Sequence, residues 1–84
     1  MSPAAPRGGE VWAKPLADGA VAVVLLNRAS QALNITATWA EVGIPHRQQA
    51  CSVRDLWLGK ELGAFTGSFT APVPPHGTVT VRIQ

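Results

Sequence analysis

The run Leu33–Trp39 alternates cleanly: Leu33, Ile35, Ala37 and Trp39 fall on one side, and Asn34, Thr36 and Thr38 on the other. A period of two marks an extended strand with one dry face and one wet face. Thr78–Ile83 repeats the pattern, with Val79, Val81 and Ile83 inward and Thr78, Thr80 and Arg82 outward. Elsewhere the period weakens but the β character persists. Glu10–Leu16 predicts a short strand whose Pro15, lacking an amide hydrogen, belongs at a sheet edge or a strand end. Asp18-Gly19 supplies a tight-hairpin signal. Ala20–Asn27 is apolar without alternation, as in a strand covered on both faces. Trp39–Pro45 predicts a single helical turn stopped at Gly43, with Pro45 preventing extension. Ala50–Trp57 predicts another strand, Leu58–Gly63 a turn, and Phe65–Val73 a strand weakened by Gly67 and Pro72. Pro74–Gly77 then punctuates the chain, with Gly77 free to take a positive φ.

Six to eight short strands at regular spacing, with almost no helix, predict an all-β fold: a small antiparallel β-sandwich, Greek-key-like in connection. Strands with one dry face need a second sheet to cover it. The chain has 84 residues, enough for one domain. Residues 1–9, rich in Pro, Ala and Gly, predict a loose tail, and 10–84 the domain. No apolar run is long enough to predict a membrane helix. The opening "MSPAAPRGGE" has no apolar centre and does not read as a secretory signal.

Charge narrows the partners. Seven Lys and Arg against five Asp and Glu leave a formal +2. The basic residues Arg7, Lys14, Arg28, Arg47, Arg54, Lys60 and Arg82 are scattered singly. Nucleic-acid binding asks for a basic cluster with stacking aromatics, so no nucleic-acid partner is expected. His46 and His76 each follow a proline, and these two histidines and the single cysteine, Cys51, lack a zinc-site spacing, so no metal or cofactor is expected. Cys51 lies in an apolar-leaning run that predicts a buried, inert thiol. Among Glu10, Asp18, Glu41, Asp55 and Glu61, only Asp55 sits inside a predicted strand rather than at its first residue, flanked by Arg54 and near Trp57. Glycoside hydrolysis needs two carboxylates roughly 5–10 Å apart, and no partner for Asp55 is visible, so no catalytic residue is assigned.

Three tryptophans and no tyrosine carry the aromatic surface. Trp39 shares a face with Leu33 and Ile35 and belongs to the core. Trp12 and Trp57 lie on different strands, and each is a candidate for a sugar platform, a docking surface or the core. Asn34-Ile35-Thr36 matches the N-glycosylation triplet on an outward face.

Four segments in order, "VWAKPLADGAVAVVLLNR", "ITATWAEVGIP", "VRDLW" with "GKELG", and "FTGSFTAPVPPHGTVTVRI", resemble the C-terminal β-sandwich of glycoside hydrolase family 27 α-galactosidases, from about Glu10 to the end. The resemblance implies an accessory domain that follows a (β/α)8 barrel in cis. That barrel removes terminal α-galactosyl groups with two aspartates and no metal. Those aspartates lie in barrel motifs that have no match here, so Asp55 is expected to be structural. The implied role is stabilising and non-catalytic. Alternatives are a stand-alone carbohydrate-binding module and an interaction domain that docks on a separate catalytic chain. An accessory domain parted from its barrel exposes an apolar docking face and can self-associate to cover it. Trp12, near the expected junction, is the first candidate for that face. Family members are often secreted, lysosomal or vacuolar, which depends on an upstream signal.

Overall fold

Seven strands and one helical turn make up the computed structural model, which describes residues 8–44 and 50–84. The strands are β1 (Gly9–Pro15), β2 (Val21–Asn27), β3 (Leu33–Thr38), β4 (Ala50–Asp55), β5 (Lys60–Thr66), β6 (Ser68–Val73) and β7 (Thr78–Ile83), with α1 (Trp39–Val42) between β3 and β4. They form two antiparallel sheets, one of five strands in the order β1-β2-β7-β4-β5 and one pairing β3 with β6. The predicted sandwich is therefore the observed fold. Residues 1–7 of the expected tail, and Pro45 and His46, lie outside the described residues; the first strand opens at Gly9.

The period-two pattern decides what lies between the sheets. Val11, Val21, Val23, Leu25, Cys51, Val53, Val81 and Ile83 of the larger sheet pack against Ile35, Ala37, Phe69, Ala71 and Val73 of the smaller. Full burial of each large aliphatic side chain contributes roughly 1.5–3 kcal/mol. Phe65 and Phe69 bridge the two sheets edge to face, with ring centroids 5.1 Å apart and planes at 79°. Trp39, fully buried, closes one end. It belongs to the first turn of α1 rather than to β3, yet it reaches the core side that the alternation assigned to it.

Thr38 begins α1. Its Oγ1 accepts from the Glu41 amide at 3.2 Å and donates to the Glu41 carboxylate at 2.7 Å, a reciprocal cap for a four-residue helix. Gly43 ends it with φ 80°, a left-handed conformation that glycine adopts without a Cβ clash.

Three local expectations shift. The strand predicted to run to Trp57 ends at Asp55, and Lys60–Thr66, expected partly as turn, is a strand. The Asp55 carboxylate accepts from the Trp57 and Leu58 amides at 2.9 and 2.8 Å, which draws the chain into its turn two residues early. The strand expected over Phe65–Val73 divides at Gly67, whose φ of 80° sends β5 to one sheet and β6 to the other. Finally, the positive φ expected at Gly77 falls on His76, at 53°. Gly77 is required for space instead, because a Cβ there stands 2.7 Å from the Pro74 ring.

Pro15 does lie on an edge strand, as its missing amide hydrogen requires. The β2 run is buried on its inner face and half-buried on its outer one. That outer face is where the molecule departs from a simple sandwich.

Candidate docking surface

Each β1 residue with an inward neighbour presents the next one outward, so Val11 is buried and Trp12 faces away from the core. Register places Trp12 opposite Val24, and Val24 opposite Thr80. Glu10, Leu26 and Thr78 form the next row, and Lys14, Ala22, Arg82 and Arg54 the row on the other side. The centre of the outer face is thus Trp12, Val24 and Leu26. Trp12 remains 54% exposed, and Val24 and Leu26 are only half-buried.

Beyond Thr80 the sheet gives way to the turn Leu56–Gly59. The Leu56 amide donates to the Thr80 carbonyl at 3.0 Å, fixing the turn against β7. Asp55 holds the turn from inside, and Arg54 Nη2 donates to the Gly59 carbonyl at 2.9 Å. This scaffold holds Leu56, Trp57 and Leu58 in water at 46%, 90% and 67% exposure. Between the turn and Thr78–Thr80 lies an open recess of about 400 Å³. Thr80 therefore borders both the Trp12–Val24 row and the recess. Trp12 and Thr80 are two strand spacings apart, about 10 Å. Thr80 thus stands between the row that carries Trp12 and the turn that carries Trp57.

The remaining candidates have other employment. Glu10 pairs with Arg28, Asp18 with Arg82, and Glu61 with Arg54 at 3.8 Å. Glu41 joins the helix cap and Asp55 the turn. All five carboxylates thus have structural partners. The Asp18 pKa lies below its ordinary value, first because the Ala20 amide donates to it and then because the Arg82 guanidinium does. Cys51 is buried beside Pro15, Leu16, Ile44 and Ile83 at the opposite end of the sandwich. His76 makes its contribution through the backbone, its amide donating to the Ala29 carbonyl at 3.2 Å. Among the described residues, no three His, Cys, Asp or Glu side chains converge to hold a metal.

One residue escaped the sequence reading. Asn27 ends the apolar run of β2 and is fully buried. Its Nδ2 donates to the Gln31 and Val73 carbonyls at 2.8 and 3.0 Å, and its Oδ1 accepts from the Ala29 amide at 2.8 Å. It ties β2 in one sheet to the end of β6 in the other. The Asn34 side chain is exposed on the outer face of the smaller sheet.

Comparison with known proteins agrees with the β-sandwich fold. Residues 7–83 match the family model described as alpha galactosidase C-terminal beta sandwich domain. The chain is 44% identical over 70 residues to an alpha-galactosidase of Oryza sativa subsp. japonica, covering 83% of this chain and 16% of that protein. It is 43% identical over 67 residues to alpha-galactosidase 2 of Arabidopsis thaliana, covering 80% and 17%. Among solved structures, alpha-galactosidase I from Mortierella vinacea superposes with a TM-score of 0.87 at 31% identity, over 94% of this chain and 21% of that one. A GH27 β-L-arabinopyranosidase from Geobacillus stearothermophilus shares the fold at a TM-score of 0.85 and 20% identity, over 95% and 18%. The chain spans about a fifth or less of the length of these curated relatives.

Proposed function

The chain belongs to the alpha-galactosidase C-terminal β-sandwich family, and we propose that it serves as the non-catalytic, stabilising domain of an α-galactosidase-type hydrolase. Its work is to cover apolar surface on a catalytic barrel through the face built by Trp12, Val24, Leu26 and the Leu56–Leu58 turn. One observation carries this reading: a domain of this size leaves two tryptophans and two leucines exposed, Trp12 on the outer face of the larger sheet and the other three in the turn that Leu56 anchors to β7. Removing such a surface from solvent is worth roughly 25 cal/mol for each Å² of apolar area. Fixed exposed apolar groups rimmed by polar ones, here Arg82, Lys14, Thr78 and Thr80, are characteristic of a docking site.

The chemistry itself falls to the barrel. A retaining hydrolase needs its two carboxylates about 5–5.5 Å apart across the sugar. Every carboxylate of this chain already caps a turn, caps a helix or pairs with an arginine. The barrel's terminal α-galactosyl substrate is the reaction class that the relatives' names support.

The test is complementation. A relative's α-galactosidase lacking its own C-terminal sandwich is mixed with this chain, and its thermal inactivation is followed. Protection by the wild-type chain, weakened by Trp12→Ser and by Trp57→Ser, is the expected result. Wild-type chain that neither binds nor protects sinks the docking reading.

A second reading rests on the same tryptophans. An exposed indole over a recess lined by threonine hydroxyls, as Trp57 stands by Thr78 and Thr80, is also the chemistry of a sugar platform. Amide NMR titration with galactose and galacto-oligosaccharides separates the two. Saturable shifts around Trp12 or Trp57 make the chain a carbohydrate-binding module, and unmoved peaks leave docking. Sedimentation of the isolated chain adds a third readout, since an uncovered docking face drives concentration-dependent self-association.

A further inference from the structure

We infer that Asn34 is an acceptor for an N-linked glycan. The inference stands apart from the docking reading, because it concerns the opposite outer face. The chain holds two asparagines, Asn27 and Asn34. They have opposite fates. Asn27 is fully buried and spends its carboxamide on three backbone groups. Asn34 is exposed on β3, and its carboxamide makes no hydrogen bond among the described residues. It begins the triplet Asn34-Ile35-Thr36, which has the required hydroxyl two residues on and no proline between.

The fold leaves room for the sugar. Ile35 turns inward and is fully buried, which sends Asn34 and Thr36 outward together. The outer face of the β3–β6 sheet consists of Asn34, Thr36 and Thr38 beside Ser68, Thr70 and Pro72. None of these side chains is charged, and none is larger than asparagine. Pro72 stands opposite Asn34 and has no amide hydrogen to offer it. A branched polar chain leaving this surface meets hydroxyls and water.

Order of synthesis makes the acceptor available. In the finished fold the Thr36 hydroxyl is held by the Thr70 hydroxyl at 2.7 Å. Thr70 lies 34 residues further along. Where the chain is threaded into an export compartment behind a signal, Asn34–Thr36 enters before β6 does, and the Thr36 hydroxyl is then open to the transferase. The donor is an oligosaccharide on a lipid diphosphate. The Asn34 amide nitrogen forms a bond to the anomeric carbon, the carbon–oxygen bond to the diphosphate breaks, and the lipid diphosphate leaves. The nitrogen gives up one proton to a base of the transferase. Folding then places the glycan on the hydroxyl face, and Thr36 and Thr70 pair beneath it.

The experiment is in vitro translation of the full chain behind an export signal, with microsomes that contain the transferase and a control triplet appended after Gln84. Wild type is expected to carry a glycan at both sites. Enzymatic deglycosylation converts each modified Asn to Asp, and peptide mass spectrometry assigns the Asn34 site. Asn34→Gln and Thr36→Ala lose one glycan, whereas Thr36→Ser keeps both. The modified wild type also resists protease as well as Asn34→Gln does. Modification at the control site alone in the wild type overturns the inference. So does a glycan at Asn34 that renders the chain protease-sensitive while Asn34→Gln remains resistant.

Discussion

Asn27 shows how much a single polar side chain can carry in a small core. Asn27→Ala strands the Gln31 and Val73 carbonyls and the Ala29 amide, all bonded to it in the native chain. Each buried backbone group left without a partner costs about 1–3 kcal/mol. Part of that is recovered by water near the partly exposed loop, so a loss of roughly 3 kcal/mol is expected, read from urea denaturation. Nothing in the sequence marked this residue. A polar group closing an apolar run reads as the start of a loop, and only the second sheet reveals that Val73 sits opposite it. Asp18 is the converse, legible as a turn residue but not as an ion-pair partner of Arg82, which lies 64 residues away. Because its folded pKa lies below the ordinary 3.8, its contribution is present above that value and fades as pH falls through the lower folded one. Asp18→Asn should therefore be less stable than wild type at neutral pH, with the two curves converging below pH 3.8. Thermal melts across an acid pH series measure it.

Elements defined by burial alternation were readable, and elements defined by turn chemistry were displaced. β3 and β7 follow their period-two patterns because one face is dry and a slip of one residue would expose all of it. The β4–β5 hairpin had no such restraint. Its turn is set by the Asp55 carboxylate reaching the Trp57 and Leu58 amides, and its register slips between Val53 and Arg54 to leave Leu62 unpaired. Asp55→Ala removes both turn bonds and is expected to cost about 1 kcal/mol, the usual worth of such a local cap. Trp57→Ser touches neither bond and should leave the melting midpoint within error. That contrast, read by differential scanning calorimetry, separates a residue that builds the turn from one that the turn displays. Gly67 is the other decisive local device. By turning β6 out of the β5 line, it creates the second sheet that the core requires.

At the scale of the whole domain, the two outer faces differ in kind, and that difference orients the molecule. One carries Trp12, Val24 and Leu26 with the Leu56–Leu58 turn beside them; the other carries only Asn34, threonines, a serine and a proline. Sandwich architecture was legible from strand count and alternation. The candidate docking surface was not, because it arises from three strands and a turn that meet only through the strand order. The sequence offers a direct way to test which face meets the barrel. Thr78 lies on the outer face of β7, bordering the recess, and is followed by Val79 and Thr80. Thr78→Asn therefore creates a glycan acceptor on the apolar side by one exposed substitution. Chain bearing a sugar there, made in a secretory host, should fail to protect the truncated α-galactosidase. The same variant made without glycosylation should protect it, since an exposed polar exchange at a strand's first residue costs little. A glycan confined to Asn34 should leave protection intact. If the glycan at position 78 is harmless and the one at 34 is disruptive, the orientation is reversed and the hydroxyl face is the one that meets the barrel.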